Sequence, residues 1–169
     1  MAIHKTAGSK FYVSPTALDV DAINAMTDYD AVNFFEAISD WIEVEETEDL
    51  GEHGDSAEAI NFTAIGNRRV RKLKGPRDAG TKNVVVGRDP LDDGQVQLNA
   101  CEQTDFNYPF KVEHVDARAE NFTDSVEYFG GLVMGRRVQQ GQVNSVTRRT
   151  YPIGVNTGIY EVSSAEISA

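Results

Sequence analysis

Thr81–Gln103 reads TKNVVVGRDPLDDGQVQLNACEQ: a strand, a stop and a helix in one run. Val84, Val85 and Val86 are three β-branched residues in succession, side chains that favour extended backbone. Gly87 and Arg88 end the run. Asp89 is an N-cap by residue type, and Pro90 follows where a helix tolerates proline best, at its first position. Asp92 and Asp93 then fall in the first turn, beside the positive end of the helix dipole. Leu91, Gly94, Leu98 and Cys101 recur at helical spacing and mark one narrow face. The pattern predicts a helix over about 89–103.

Working outward, strands dominate. Lys10–Val13 is short and closed by Ser14-Pro15. Thr16–Asp28 shows no clear period, and Asp30–Ser39 carries Phe34, Phe35 and Ile38 at the spacing of a helical turn or two. Ile60, Phe62 and Ala64 alternate with polar neighbours. Gly66-Asn67 suits a two-residue hairpin turn, and Arg68–Leu73 is the returning strand. Gly75-Pro76 and Ala79-Gly80 are expected to form the next loop. Beyond the helix, Tyr108–Val115 is a strand. A long strand from Ser125 to Gln139 is interrupted by Gly130-Gly131 and Gly135, Asn144–Val155 returns, and Thr157–Ser163 is last. Short strands punctuated by Gly, Pro and Asn, with one flanking α-helix, predict an antiparallel β-sandwich or barrel. The 169 residues suffice for one domain, with an N-terminal arm over about 1–9, an acidic loop over about 45–58 and a C-terminal tail over about 163–169.

Charge is unevenly placed. The net charge is −11, and fourteen of the 27 acidic residues lie between Phe11 and Asn67, where there is no lysine or arginine. The next stretch holds Arg68, Arg69, Arg71, Lys72, Lys74 and Arg77. An acidic chain is discouraged from binding nucleic acid or anionic membrane. No apolar run reaches the roughly 18 residues that cross a bilayer, and MAIHKTAGSK has no apolar core of a secretory signal. One cysteine, Cys101, excludes a disulfide framework within the chain and reads as packing on the helix stripe.

The residues offer no catalytic constellation. His4, His53 and His114 are far apart in sequence, and none has a second His or Cys at metal-ligand spacing. His114 shares a strand face with Phe110 and Val112 and reads as packed or surface-lining. Asp89–Gly94 lacks the alternating acids of a calcium loop. Neither a nucleophile elbow nor a phosphate-binding glycine loop is present. The expectation is no catalytic residue, no metal and no cofactor.

The order of segments nevertheless resembles a known family. EDLGEHGD, AINFTAIGNRRVRKLKGPRDAGT, NVVVGRDPLDDGQVQL, YPFKVEHV, VEYFGGLVMGRR and VTRRTYPIGVNTGIYEV follow one another as in the major tail tube proteins of long-tailed, non-contractile phages. The resemblance covers roughly Trp41 to Val162 and is weaker before it; gene transfer agents and other phage-derived tubes use related subunits. It implies a β-sandwich with a flanking helix, six copies to a ring, about four strands per copy in an inner barrel, and rings stacked into a tube. It further implies assembly around a tape-measure protein, ends closed by tail terminator and distal tail or baseplate proteins, and passage of DNA through the lumen without specific binding. Synthesis in the host cytoplasm and a place in the virion tail follow. Twenty-four strands about 4.8 Å apart and tilted by about 40° give a circumference of roughly 150 Å and a backbone diameter of roughly 48 Å, leaving room for a duplex of roughly 20 Å after roughly 10 Å of side chains.

On that reading the acids Glu45, Glu46, Glu48, Asp49, Glu52 and Asp55 reach a neighbouring ring. Arg68, Arg69, Arg71, Lys72, Lys74 and Arg77 are their complement. Val96, off the helix stripe, is expected to meet a lateral neighbour. The competing expectation is a monomeric β-domain that binds nucleic acid through Arg68–Arg77, Arg136-Arg137 and Arg148-Arg149. The net charge and the lack of interleaved aromatics weigh against it.

Overall fold

A computed structural model describes residues 3–168; Met1 and Ala2 of the expected N-terminal arm and Ala169 of the tail lie outside them. In chain order the elements are β1 (Lys10–Val13), α1 (Val20–Asn24), α2 (Asp28–Glu36), β2 (Ile42–Val44), β3 (Thr47–Asp49), β4 (Ser56–Thr63), β5 (Val70–Asp78), β6 (Thr81–Gly87), α3 (Asp93–Glu102), β7 (Tyr108–Glu113), β8 (Val126–Val133), β9 (Arg137–Gln139), β10 (Arg148–Val155) and β11 (Tyr160–Val162). Nine strands form one antiparallel sheet in the order β2-β1-β7-β8-β10-β6-β3, with β11 also on β8 and β9 also on β10. The sheet folds over so that its two halves share a core. Phe11, Phe110 and Phe129 from β1, β7 and β8 belong to one cluster with Val84, Val86, Tyr151 and Ile153 from β6 and β10. This is the expected sandwich, with its halves hydrogen-bonded to each other where Ile153–Val155 meets Gly131–Val133.

The helix α3 closes one side, and its start differs from the sequence reading. Asp89 and Pro90-Leu91 form a turn, in which the Leu91 N–H donates to Asp89 at 2.9 Å. Asp92, not Asp89, is the N-cap: its carboxylate accepts from Gly94 N–H at 3.3 Å and Gln95 N–H at 3.0 Å. Leu91 therefore sits before the helix and is exposed, while Gly94, Leu98 and Cys101 of the expected stripe are buried. Gln95 is the unforeseen buried member. Its amide donates to Gly87 O at 2.9 Å and accepts from Asp89 N–H at 3.1 Å, tying the end of β6 to the helix. Asp92 also accepts from Glu45 N–H at 3.2 Å, so the same carboxylate fixes the link between β2 and β3.

Two further helices accompany α3, so the expectation of a single flanking helix is corrected. α2 lies where Phe34 and Phe35 suggested. It is capped by Thr27 and buries Ala31 and Phe35, the latter stacked on Tyr128 with ring centroids 5.5 Å apart. α1 is too short to show a period and is set by its cap, Asp19, which accepts from Asp21 and Ala22 N–H. With Leu18, Ile23 and Tyr160 these helices build a second apolar cluster against β8 and β11.

Other boundaries moved for local reasons. β8 runs through Gly130, where a Cβ would fall 2.2 Å from Leu18 Cδ2, and ends at Val133 before the separate β9. The C-terminal tail is pinned: Ile167 N–H donates to Asn121 O at 2.7 Å and Thr123 N–H to Ala165 O at 2.9 Å.

At Gly94 a Cβ would sit 2.2 Å from Glu43 O and 2.6 Å from Val44 Cα, both backbone of β2, so only glycine lets α3 seat there. Gly94→Ala is expected to lower stability by about 1–3 kcal/mol, the usual cost of overpacking. Urea unfolding checks it, with Ala100→Gly on the exposed face as a control for helix propensity alone.

Candidate assembly surface

β4 and β5 pair only with each other and form a two-stranded arm outside the main sheet. Their register opposes Ile60 to Leu73 and Phe62 to Arg71 on one face, and Asn61 to Lys72 and Thr63 to Val70 on the other. Partners directly opposite share a face, so one face carries Ile60, Phe62, Arg71 and Leu73 and the other is mainly polar and basic. Nearly every residue of both strands is exposed. Ile60, Phe62 and Leu73 are each half exposed or more, and Ile65 at the tip is fully exposed. An isolated hairpin with bare apolar side chains on both sides of its tip has no core of its own to bury them.

The arm is longer than the sequence suggested. The tip is a six-residue connection between Thr63 and Val70 rather than a two-residue turn, closed by Asn67 N–H to Ala64 O and by Arg69 N–H to the Asn67 side chain. Gly75-Pro76, expected as loop, lies inside β5. Between the pairs Ala57–Arg77 and Ala59–Lys74 the register slips by one residue on the β5 side, and Pro76, which has no N–H to give, is accommodated in that bulge. The loop that returns the arm to the body is Ala79-Gly80 alone.

The twelve charged residues expected to mediate ring contacts are all exposed, but they do not form one set. Glu45, Glu46, Glu48 and Asp49 lie on or beside β3, an edge strand on β6, so this part of the acidic segment is strand rather than free loop. Glu48 is paired within the chain to Arg148, and Asp55 to Arg77 at 3.2 Å. Among the described residues Arg68, Arg69, Arg71, Lys72 and Lys74 have no salt-bridge partner, nor have Glu45, Glu46, Asp49 and Glu52. Of the other basic residues, Arg136 meets Glu102 at 3.4 Å, Arg148 is paired with Glu48 and Arg149 donates to Asn99 at 3.1 Å; Arg137 is exposed. Val96 is half exposed on the outer face of α3, with the bare Leu91 close by in sequence.

No protein-family model matches the chain, and no curated protein matches it by sequence. Solved structures do. The SPP1 tail tube, determined by solid-state NMR and cryo-EM, superposes over 98% of this chain and 82% of its own with a TM-score of 0.63 at 12% identity. A chain of the anti-feeding prophage baseplate, solved with 6-fold symmetrisation, superposes over 100% of both chains with a TM-score of 0.65 at 8% identity. The chain has the tail tube fold. Both matches are to parts of assembled tails rather than to enzymes.

One polar cluster escaped the sequence reading. Lys82 on β6 is almost fully buried. Its ammonium donates to Nδ1 of His53 at 3.0 Å, and the other ring nitrogen of His53 is paired with Glu127 on β8. His114 reaches the same Glu127 oxygen at 3.4 Å. His114 is thus a surface-lining residue, but one engaged with a carboxylate. Among the described residues no group of three or more His, Cys, Asp or Glu is arranged to hold a metal. The cluster joins β6 to β8 through His53 of the β3–β4 loop; Lys82 shares the strand face of Val84 and Val86, and only the fold brings the members together.

Burial pushes the Lys82 ammonium down to about 8, against the opposing pull of Glu127 and Asp49. Folding thus disfavours the charged form. Between about pH 8 and 10.5 the unfolded chain keeps a proton that the folded chain has lost, so stability rises with pH there. Relative to Lys82→Met, the wild type is expected to gain up to about 3 kcal/mol across that window. Chemical denaturation of both proteins at stepped pH measures the difference.

Proposed function

We propose that the chain is the structural subunit of a phage or phage-like tail tube, self-assembling into six-membered rings that stack into a conduit for DNA. The observation that carries this reading is the exposed β4–β5 arm on a tail tube fold. It presents apolar side chains and five cations without a salt-bridge partner, and none of the described residues covers them. The acids Glu45, Glu46, Asp49 and Glu52 supply the opposite charge on a second copy. Exposed pairs of this kind are individually weak and set register more than affinity; Ile60, Phe62, Ile65 and Leu73 provide the apolar area. β2 and β3 end the hydrogen-bonded order of the main sheet, leaving edges through which neighbouring copies can extend it, and Val96 with Leu91 offers a lateral contact.

In this reading the tape-measure protein, tail terminator and baseplate components are the further partners, the protein is made in the host cytoplasm, and true phages and gene transfer agents are equally served. DNA passes without specific binding, because an acidic subunit gives phosphate little to hold.

Negative-stain microscopy of concentrated protein tests the reading: six-fold rings or tubes are expected, and protein that stays monomeric at every concentration overturns it. Reversing Arg69, Arg71 and Lys72 to Glu is expected to slow tube growth by about tenfold or more, since charge complementarity acts on encounter and register; normal growth would remove charge pairing while leaving the tube in place. Ile60→Ser with Phe62→Ser is expected to abolish assembly while shifting the stability of the free chain by no more than about 0.5 kcal/mol, as for exposed positions generally.

A further inference from the structure

The helices of the body are carried on two faces of one strand. Along β8, Phe129 and Val133 point into the sandwich core, where Leu98 and Cys101 of α3 join them. Tyr128 points the other way and, with Tyr160, packs on Phe35 of α2. Side chains alternate across a strand, so α3 and the α1–α2 pair belong to opposite faces of β8 and offer two separate helical surfaces.

The α1–α2 surface is acidic and aromatic. Residues 16–40 hold Asp19, Asp21, Asp28, Asp30, Glu36 and Asp40 and no lysine or arginine. All six acids are exposed, and none has a salt-bridge partner among the described residues. α2 buries Ala31 and Phe35, so helical spacing puts Tyr29, Asn33 and Glu36 on its outer face. Tyr29 is 76% exposed, and Phe34 on the flank is 40% exposed. Glu36 is the last residue of α2, where a carboxylate meets the negative end of the helix dipole, and no basic residue shares that turn. In the free chain this placement is unfavourable. A cation brought by a neighbour would offset it.

The α3 surface holds such a cation. Gly94, Leu98 and Cys101 are buried, so Val96 and Ala100 lie outward, with Asn99 on the flank. Val86, Arg149 and Val138 are opposite one another across β6, β10 and β9 and share a face. Arg149 donates only to neutral groups there, the Asn99 side chain at 3.1 Å and the Tyr151 hydroxyl at 3.4 Å. Its Nε is buried without a hydrogen-bond partner among the described residues. The acids nearby are already engaged: Glu102 pairs with Arg136, and Asp92 caps α3. Val96 and Val138, each about half exposed, flank this unneutralised guanidinium.

We propose that the α2 surface of one copy docks on the α3 surface of the next, with Glu36 pairing to Arg149 and Tyr29 and Phe34 covering Val96 and Val138. The contact rests on the self-assembling reading and supplies its lateral interface. Two copies of the α2 surface would set acid against acid, so the pairing is heterologous: each copy gives one surface and receives the other. Repetition of such a contact closes a ring where the rotation allows.

Single cysteines test the contact. Asn33→Cys and Ala100→Cys occupy exposed positions one turn beyond Tyr29 and Val96, and the native Cys101 is buried. With a short bismaleimide, a mixture of the two variants is expected to cross-link to dimers, neither variant alone is expected to do so, and a chain carrying both is expected to give a ladder of oligomers. Dimers from Ala100→Cys alone overturn the proposal, because α3 would then meet α3. Rings or tubes seen by microscopy without the mixed cross-link overturn it while the tube reading stands; wild-type protein that never assembles removes both. Glu36→Gln and Arg149→Gln are each expected to weaken association by about tenfold, and the double variant by no more than either single one, since the pair is lost only once. Losses that multiply to about a hundredfold overturn the pairing. Arg149→Gln keeps a donor for Asn99, and should it fail to fold, the cysteine pair decides alone.

Discussion

The carboxylate of Asp92 is the contact on which the body depends. One buried side chain caps α3 through Gly94 and Gln95 and holds the backbone of Glu45. A helix end leaves its first N–H groups without partners, and here a charged acceptor satisfies two of them while recruiting a third from another element. The helix can then lie against β2 at the separation that Gly94 permits, and Leu98 and Cys101 close the core between the sheet halves. Removing that acceptor would leave two buried helix donors unpaired and release the Glu45 N–H as well, which costs more than a missing surface bond.

Two regimes coexist in one chain. The body is a packed sandwich in which stacked rings, such as Phe110 and Phe129 with centroids 5.4 Å apart, fix the relation of the strands. The arm has no such interior. Its register rests on cross-strand pairs and on the bulge at Gly75-Pro76, and its charges guard an edge that would otherwise invite indiscriminate strand pairing. A fold shared at 8–12% identity with tail structures is compatible with this division: the sandwich tolerates many sequences that keep volume and pattern.

Local signals were legible in proportion to how much of their cause was local. The β6–α3 unit could be read because β-branched residues, acids and apolar spacing lie side by side, and even there the cap moved from Asp89 to Asp92, since a turn stabilised by Asp89 came first. The short α1 was hidden because its only signal is a cap. Gly75-Pro76 misled because composition cannot distinguish a loop from a strand that bulges. The Lys82–His53–Glu127 cluster was illegible: residues 53, 82 and 127 come from a loop and from two strands that are not neighbours in the sheet, and each looks ordinary in its own segment. The charged residues of the arm are exposed, as their density in the sequence suggested, but that Arg77 and Asp55 would satisfy each other within the chain was not legible.

In the proposed tube, the bareness of the arm would move part of the energetics from folding to growth. Residues that bury little in the free subunit gain little from being ordered there, so part of the conformational entropy of Ile60–Leu73 would be surrendered only when a second copy arrives. Subunit melting temperature would then be a poor gauge of filament strength, and the arm would set a nucleation threshold: a single contact would have to meet the full ordering cost, whereas each later subunit would join a surface already arranged to receive it.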